Sequence, residues 1–110
     1  YAPYSNFPVG AAALTSSGRI IRGCNVENAS YGHALCAECG VVSALHVEQA
    51  GLIVALVVAD KDDHLISPCG RCRQILLENA SPQATILLAE GEVLLSDLMP
   101  HPFSRDNLTR

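Results

Sequence analysis

Thiols and one carboxylic acid are the residues of this sequence best suited to chemistry, and they fall in two short motifs. The first motif is Cys36-Ala37-Glu38, and the second is Pro68-Cys69-Gly70-Arg71-Cys72. Three thiolates can hold a zinc ion and leave its fourth coordination position open for water. A carboxylate beside that position can carry protons between the water and a substrate. The two motifs therefore predict a zinc centre that activates water.

The spacing assigns a role to each of these side chains. Cys36, Cys69 and Cys72 are the predicted zinc ligands, and Glu38 is the predicted catalytic residue. Cys69 and Cys72 are three residues apart, so in a helix their side chains point the same way. A C-x-E element followed by P-C-x-x-C is typical of zinc deaminases that act on nucleobases. We therefore expect hydrolytic removal of an amino group, with one Zn²⁺ per chain.

A structural zinc site is the alternative interpretation. Cys39 completes a C-x-x-C unit with Cys36, and two such units are typical of a four-cysteine structural centre. Structural zinc modules are usually short and loop-rich, whereas this chain has enough apolar sequence to form its own core. Glu38 distinguishes the two interpretations, because it is a surface carboxylate in a structural site and faces the metal in a catalytic one. Free buried cysteines are a third alternative, which the paired spacing disfavours.

Size, composition and charge limit the kinds of protein that this chain can be. Its 110 residues are 49% hydrophobic and 16% charged, which suits a single domain, residues 1–110, with a buried core. The net charge is -4, and Lys61 is the only lysine. Because a groove for nucleic acid needs clustered basic residues, we expect a small uncharged substrate and no DNA or RNA partner.

The sequence shows no sign of a membrane span or of a signal peptide. No apolar run reaches the length of a span, and the first residues lack a basic start and an apolar stretch. Four of the five cysteines have C-x-x-C spacing, which without a secretion signal favours metal binding over disulfides. We expect a cytoplasmic protein with no membrane partner.

The predicted elements place the first motif at the start of a helix. Residues 9–15 and 19–26 are predicted to form a β-hairpin around Ser16-Ser17-Gly18. Residues 35–50 show the apolar spacing of a helix with one buried face. The apolar run 52–59 is predicted to be a central strand buried on both faces.

The second half of the chain continues the alternation of strands and helices. Ser67 is the predicted N-cap and Pro68 the first residue of a helix that runs to about residue 79. Two more strands are expected at residues 84–89 and 92–95, around a turn that contains Gly91. Together these elements predict an α/β fold, with a mixed five-stranded sheet in a three-layer α/β/α arrangement.

Four stretches of the sequence share their order and spacing with a known family. They read Tyr4-Ser5-Asn6-Phe7-Pro8-Val9-Gly10, Gly23-Cys24-Asn25-Val26-Glu27-Asn28-Ala29-Ser30-Tyr31, Cys36-Ala37-Glu38 and Ser67-Pro68-Cys69-Gly70-Arg71-Cys72-Arg73-Gln74. They closely resemble the small homotetrameric zinc-dependent cytidine deaminases, and the resemblance covers nearly the whole chain. It implies a cytidine deaminase-like fold. It also implies hydrolysis of cytidine and 2′-deoxycytidine to uridine and 2′-deoxyuridine, with release of ammonia.

The resemblance also implies how the nucleoside binds. Asn25 and Glu27 match the pair that holds the ribose 3′-hydroxyl, and Phe7 matches an aromatic residue that packs at the nucleoside. The Ala37 N–H and the Ser67 carbonyl match backbone groups that touch the pyrimidine edge.

A residue near the end of the chain implies a site shared between subunits. Phe103 lies in the proline-rich segment Leu98-Met99-Pro100-His101-Pro102-Phe103. It matches a tail aromatic that reaches the active site of a neighbouring subunit. The resemblance therefore implies a homotetramer whose active sites are completed across subunits.

Two features depart from the family pattern. The family usually has a helix before the Tyr-Ser-x-Phe segment, and we expect this domain to lack it. Many members have arginine directly after Cys-Ala-Glu, where this chain has Cys39. A fourth thiolate would give the zinc centre a net charge of about -2 and leave no position for water. We therefore predict that Cys39 stays outside the coordination sphere, as a neutral thiol that donates weak hydrogen bonds to a ligand sulfur.

A second family shares some of these motifs. The blasticidin S deaminases have the Tyr-Ser-x-Phe, Cys-Ala-Glu and Pro-Cys-Gly-Arg-Cys elements, and their substrate is an analogue of a cytosine nucleoside. The stretch Asn25-Val26-Glu27-Asn28 favours an ordinary ribose, and therefore cytidine.

Overall fold

A mixed five-stranded sheet forms the centre of the computed structural model, which describes residues 1–109. The strands are β1 (Val9–Thr15), β2 (Ile20–Cys24), β3 (Ile53–Asp60), β4 (Ala80–Leu88) and β5 (Gly91–Leu94). Their order across the sheet is β2-β1-β3-β4-β5. β3 and β4 are parallel, and the other neighbouring pairs are antiparallel. The predicted α/β class and the mixed five-stranded sheet are confirmed.

β1 and β2 form the predicted hairpin. The turn between them is closed by a hydrogen bond of 2.9 Å from the Gly18 N–H to the Thr15 carbonyl. Gly18 has a φ of +84°, a left-handed conformation that glycine adopts without strain. β2 ends at Cys24, two residues earlier than predicted, and Val26 instead forms an isolated bridge with Leu35.

The first helix, α1, covers Ala37–Val47, so it is shorter at both ends than predicted. Leu35 is held in an extended conformation by its bridge to Val26, and Cys36 becomes the N-cap of the helix. At the other end, Gln49 takes a left-handed conformation with a φ of +51°, which is incompatible with a continuing helix. The first motif therefore lies at the junction between an extended segment and α1.

The buried face of α1 lies unusually close to the sheet. Ala37, Val41 and Leu45 recur every fourth residue on this face and are almost completely buried. Gly23 in β2 permits the close approach, because a Cβ atom at that position would lie only 2.3 Å from the Ala37 carbonyl oxygen. The first turn of α1 is thus fixed directly against the backbone of β2.

The second helix, α2, covers Gly70–Glu78, and the predicted helix start at Ser67 and Pro68 is wrong. The chain before it runs beside β3, where the Ile66 N–H donates a hydrogen bond of 3.0 Å to the Val58 carbonyl. This pairing keeps the chain extended as far as Cys69, which is the N-cap of α2. The helix therefore begins inside the second motif rather than before it.

β3 is buried on one face only, so the prediction of a strand buried on both faces is wrong. Leu56 and Val58 are buried, whereas Ala55, Val57 and Ala59 on the opposite face are partly exposed. α1 and α2 contact each other and pack on the same face of the sheet. Within residues 1–109 no α-helix covers the other face, so this part of the chain has two layers rather than the predicted three-layer α/β/α arrangement. The hydrophobic core lies between the sheet and these two helices.

The last two strands begin earlier than predicted. β4 begins at Ala80 rather than at residue 84, but its first part pairs irregularly with β3, since the register shifts between Ile53 and Ala55. Pro82 lies in this irregular part, as expected for a residue that cannot donate to the ladder. β5 begins at Gly91, whose φ is +124°.

The remaining helical elements are short. The 3₁₀ turn Tyr31–His33 precedes α1, and the tail after β5 forms the 3₁₀ turns Leu95–Leu98 and Arg105–Leu108. No helix in the described part of the chain has both the length and the apolar character needed to cross a membrane.

Candidate metal centre

Three thiols come together where the starts of α1 and α2 meet. The sulfurs of Cys36, Cys69 and Cys72 all lie within 4.8 Å of one another. In a tetrahedral site with Zn–S bonds of about 2.3 Å, two ligand sulfurs lie about 3.8 Å apart. The cluster therefore needs only a small contraction to hold a zinc ion, and zinc favours sulfur ligands. The three predicted ligands are brought together.

Each of these sulfurs is positioned by the beginning of a helix. Cys36 is the N-cap of α1, Cys69 is the N-cap of α2, and Cys72 lies in the first turn of α2. The first N–H groups of a helix have no partner within the helix and carry partial positive charge. Because two helix starts meet at one cluster, their dipoles offset part of the negative charge that three thiolates bring.

The three thiols lie in different electrostatic surroundings. Burial raises the pKa of Cys36, and it also raises the pKa of the fully buried Cys72, to which the nearby Glu38 carboxylate contributes. The pKa of Cys69 is lowered, chiefly by the backbone N–H of Cys72. A bound metal reverses the effect of burial, because a coordinating thiol is deprotonated outright. The donor set thus suits a divalent cation that binds thiolates.

Glu38 is buried beside the thiols. Only 4% of its surface is exposed, and it is the one acidic residue that is buried within residues 1–109. It follows Cys36 by two residues in the first turn of α1 and faces a cavity rather than the outer surface. A structural zinc site gives no reason to bury a carboxylate, since burial of an unpaired charge costs free energy. The catalytic interpretation requires this placement.

A cavity of about 260 Å³ opens beside the thiol cluster. Seven of the predicted site residues line it, namely the catalytic Glu38 and six residues predicted to bind metal or substrate, Asn25, Glu27, Cys36, Ala37, Ser67 and Cys69. Val58 and Ile66 contribute apolar side chains to the wall of the cavity. The volume lies just below the range of roughly 300–1,000 Å³ found for drug-sized ligands, so the cavity suits a small molecule.

The side chain of Asn25 also fixes the segment that leads into β1. Its Oδ1 atom accepts a hydrogen bond of 3.0 Å from the Val9 N–H, and its Nδ2 atom donates one of 3.1 Å to the Phe7 carbonyl. Sequence patterns did not indicate these contacts, because they join residues that are 16 and 18 positions apart. One Asn25 N–H and one lone pair on its oxygen are left for other partners.

The side chain of Glu27 holds the same N-terminal segment at Tyr4 and Ser5. Its Oε1 atom accepts hydrogen bonds from the Tyr4 N–H at 2.9 Å and the Ser5 N–H at 3.1 Å, and its Oε2 atom accepts one from the Ser5 hydroxyl. The Ser5 hydroxyl is the main cause that lowers the pKa of Glu27. Ser5 is therefore a site residue that the sequence analysis missed, since only the fold shows which carboxylate its hydroxyl meets.

The two predicted aromatic residues lie outside the cavity beside the thiols. Phe7 is 50% exposed, and Phe103 is 60% exposed. Phe103 lines a separate cavity of about 180 Å³ between α2 and the tail, together with Gln74. The structure of one chain therefore does not show the contact with the nucleoside that is predicted for each ring.

Cys39 stays apart from the metal cluster. The group of candidate ligands at this position consists of the other three thiols, and Cys39 does not belong to it. Cys39 is partly buried, and all five cysteines are free thiols. The cluster thus offers three sulfurs rather than the four of a structural site.

A second group of possible metal ligands is explained by a turn. Asp60, Asp62 and His64 lie close together at the end of β3 and in the turn that follows. One carboxylate oxygen of Asp60 accepts hydrogen bonds from the Asp62 N–H at 2.9 Å and the His64 N–H at 3.0 Å. Burial raises the pKa of Asp60, but these backbone donors outweigh it and the pKa is lowered. The arrangement is that of an Asx turn, which needs no metal.

Similarity to known proteins extends over the whole chain. The family model described as "Cytidine and deoxycytidylate deaminase zinc-binding region" matches residues 1–88, which include both cysteine motifs. The cytidine deaminase of Mycobacterium tuberculosis (strain ATCC 25618 / H37Rv) is 50% identical over 110 residues, covering 100% of this chain and 83% of that protein. The cytidine deaminase of Halalkalibacterium halodurans is 36% identical over 113 residues, covering 98% and 86%.

Solved structures show the same fold. The crystal structure of cytidine deaminase from Mycobacterium tuberculosis matches with a TM-score of 0.90 and 50% identity, covering 94% of this chain and 85% of that one. The crystal structure of cytidine deaminase from Mycobacterium leprae matches with a TM-score of 0.88 and 50% identity, covering 92% and 85%.

Proposed function

The chain belongs to the family of cytidine and deoxycytidylate deaminases with a zinc-binding region, and we propose that it deaminates cytidine and 2′-deoxycytidine by hydrolysis. The reaction consumes one water and yields uridine or 2′-deoxyuridine and ammonia. One observation carries the proposal: three thiols that suit zinc lie together, and two of them, Cys36 and Cys69, line one small cavity with the buried Glu38 carboxylate.

Cys36, Cys69 and Cys72 hold the zinc ion in this proposal, and Glu38 moves the protons. A zinc ion with three protein ligands supplies a water whose pKa is lowered toward neutrality. Glu38 takes a proton from the water and passes it to N3 of the base while the water oxygen adds to C4. Glu38 then takes the proton of the new C4 hydroxyl and gives it to the amino group, so the C4–N bond breaks as the C4 carbonyl forms, and ammonia leaves.

Asn25 and Glu27 hold the ribose 3′-hydroxyl with the hydrogen-bonding capacity that the N-terminal segment leaves unused. A carboxylate accepts about four hydrogen bonds, and Glu27 already accepts three, two of them on Oε1. Its Oε2 can still accept the hydroxyl proton, while the remaining Asn25 N–H donates to the hydroxyl oxygen. The backbone N–H of Ala37 and the carbonyl of Ser67, which line the same cavity, contact the pyrimidine edge. Phe7 packs against the nucleoside.

The Glu38→Gln variant tests the mechanism. Glutamine keeps the shape of the side chain but cannot carry the proton, so turnover should fall at least by the roughly 10²–10⁴-fold that general acid–base catalysis contributes. Zinc content and thermal unfolding should stay as in the wild type, because Glu38 is not a ligand. The assay follows the loss of cytidine absorbance and the release of ammonia. Near-normal deamination by this variant would refute the mechanism.

The wild-type protein distinguishes this enzyme from a structural zinc module. A deaminase releases ammonia from cytidine and loses that activity when zinc is removed by a chelator. A structural module unfolds with chelator but never converts cytidine. A protein that binds one zinc ion per chain but deaminates neither cytidine nor 2′-deoxycytidine would therefore refute the proposed function.

We further propose a homotetramer in which Phe103 completes the active site of a neighbouring subunit. Its support is the exposed position of Phe103, at a cavity separate from the thiol cluster of its own chain. Phe103→Ala should raise the KM for cytidine and leave the zinc content unchanged. Light scattering gives the mass in solution, and a fully active monomer would contradict this proposal.

The proposed location is the cytoplasm. All five cysteines are free thiols, and thiolate ligands require a compartment that keeps cysteine reduced. Cell fractionation would show the location, and recovery of the protein outside the cytoplasm would contradict it.

A further inference from the structure

Arg73, the residue directly after Cys72, joins three segments of the chain with one side chain. Its Nε atom donates a hydrogen bond of 2.9 Å to the Pro68 carbonyl, and its Nη2 atom donates one of 3.0 Å to the Ser67 hydroxyl. Its Nη1 atom donates one of 3.0 Å to the Leu98 carbonyl. Arg73 thus links α2 to the loop 67–69 and to the tail.

Only a guanidinium group can make this set of contacts. Its three nitrogens are fixed in one plane and donate in different directions, whereas a lysine ammonium is a single point of charge on a flexible stem. The ion pairs among residues 1–109 are Arg19–Glu48 and His64–Asp60, so Arg73 binds carbonyl and hydroxyl oxygens rather than a carboxylate. Arg73 therefore makes these contacts because of the planar shape of its guanidinium group as well as its positive charge.

The loop 67–69 depends on Arg73 for its position. The loop carries the predicted zinc ligand Cys69, and the Arg73 side chain holds the two residues before it, Ser67 and Pro68. Pro68 is buried, so its carbonyl would lose its side-chain donor if the guanidinium were removed. On the other side of the loop, the nearest backbone restraint is the hydrogen bond from the Ile66 N–H to β3.

The next residue along α2 reinforces the contact with the tail. Gln74 donates a hydrogen bond of 2.9 Å from its Nε2 atom to the Phe103 carbonyl. The tail is therefore held to α2 at two points, Leu98 and Phe103, by two consecutive side chains. One of these two side chains, Arg73, also holds the loop 67–69.

We propose that Arg73 is a positioning residue that sets the zinc affinity and the KM for cytidine by holding the loop 67–69 against α2. Without it, Cys69 is displaced from the other two sulfurs, and the Ser67 carbonyl is displaced from the cavity that it lines. The inference about KM rests on the proposed function, whereas the inference about zinc affinity does not.

The test compares Arg73→Ala with Arg71→Ala. Arg71 lies two residues earlier on the same helix, is exposed, and makes no side-chain hydrogen bond or ion pair among residues 1–109, so its removal controls for the loss of one positive charge beside the thiols. Competition with a chromophoric chelator measures zinc affinity. Arg73→Ala should bind zinc about 10–100-fold more weakly, the usual effect of losing a residue that supports a metal ligand, and Arg71→Ala should match the wild type.

Kinetics at saturating zinc give the second measurement. Arg73→Ala should raise the KM for cytidine about tenfold while kcat changes far less, which is the pattern of a lost binding contact. Arg73→Lys keeps the positive charge but not the planar set of donors, so its zinc affinity and its KM should lie between those of Arg73→Ala and the wild type. If Arg73→Ala does not fold, Arg73→Lys takes its place in the comparison. Equal zinc affinities for the Arg73 and Arg71 variants would overturn the proposal. A wild type that binds zinc but leaves cytidine unchanged would refute the proposed function, and the zinc comparison would still decide the role of Arg73.

Discussion

Replacing Gly23 by alanine tests how closely α1 must approach the sheet. An added Cβ would lie 2.3 Å from the Ala37 carbonyl oxygen, 2.8 Å from the Val41 nitrogen and 3.2 Å from the Gly40 carbonyl carbon. All three are backbone atoms, so no side chain can rotate away. Real Cβ atoms essentially never come closer than 3.0 Å, so the helix and the strand must separate by roughly 0.7 Å at this point.

The loss of stability expected for Gly23→Ala follows from this geometry. Extra atoms in a well-packed region cost about 1–3 kcal/mol, and a rigid backbone contact belongs in the upper part of that range. For a domain of this size the same loss lowers the Tm by roughly 5–20 °C. The displaced part of α1 is its first turn, which carries Glu38 and follows Cys36. Zinc affinity should therefore fall together with stability.

Gly10→Ala is the matched control. Gly10 lies in β1 beside β2, and an added Cβ there meets nothing within 4 Å. Neither Gly10 nor Gly23 has a positive φ, so alanine can adopt the folded backbone at both positions, and its effect on the entropy of the unfolded chain is the same for both. Urea unfolding at one protein concentration gives the two free energies, and chelator competition gives the zinc affinities. If Gly23→Ala is as stable as Gly10→Ala, the reasoning about the close approach of α1 is wrong.

Two further predictions concern a thiol and a carboxylate. Cys39→Ser should keep one zinc per chain and most of the activity, whereas Cys36→Ala should lose both, because the Cys39 sulfur does not belong to the three-sulfur cluster. Metal analysis checks this, and loss of zinc from Cys39→Ser would contradict the assignment of three ligands. Hydrogen bonds from Ser5 and Tyr4 lower the pKa of Glu27 below its ordinary 4.5, so Glu27 should stabilise the fold fully above pH 4.5 and lose this contribution as the pH falls further. Urea unfolding on both sides of pH 4.5 gives the difference in the free energy of unfolding between the wild type and Glu27→Gln. A difference that does not change with pH would contradict this prediction.

The thiol cluster could be predicted from the sequence because its residues lie within two short motifs. Cys69 and Cys72 are three residues apart, and Glu38 follows Cys36 by two, so each motif defines its own geometry once a helix begins nearby. The exact helix starts could not be foreseen. They depend on pairing between distant residues: the bridge from Leu35 to Val26 keeps the chain extended before α1, and the hydrogen bond from Ile66 to Val58 does so before α2.

The exposure of β3 shows a second limit of sequence reasoning. A run of apolar residues from 52 to 59 indicates a strand with apolar side chains on both faces, but it does not show which layers cover those faces. Ala55 and Ala59 are small, and their partial exposure leaves little apolar surface in water. Likewise, the resemblance to the cytidine deaminases implied that Asn25 and Glu27 hold a hydroxyl group of the substrate. That both also bind the N-terminal segment follows only from the tertiary fold.

α2 connects the metal centre to the rest of the fold because its consecutive residues point in different directions, about 100° apart. Cys72 points into the core and to the thiol cluster, Arg73 holds the loop before Cys69, and Gln74 holds the tail. Leu76, one turn after Cys72, is completely buried and anchors the same face of the helix in the core. A zinc ion held by the three thiols would join α2 to α1, whose own position is fixed by its contact with β2. Metal binding and packing therefore stabilise the same helix–helix arrangement, so zinc affinity reports on the fold as well as on the ligands.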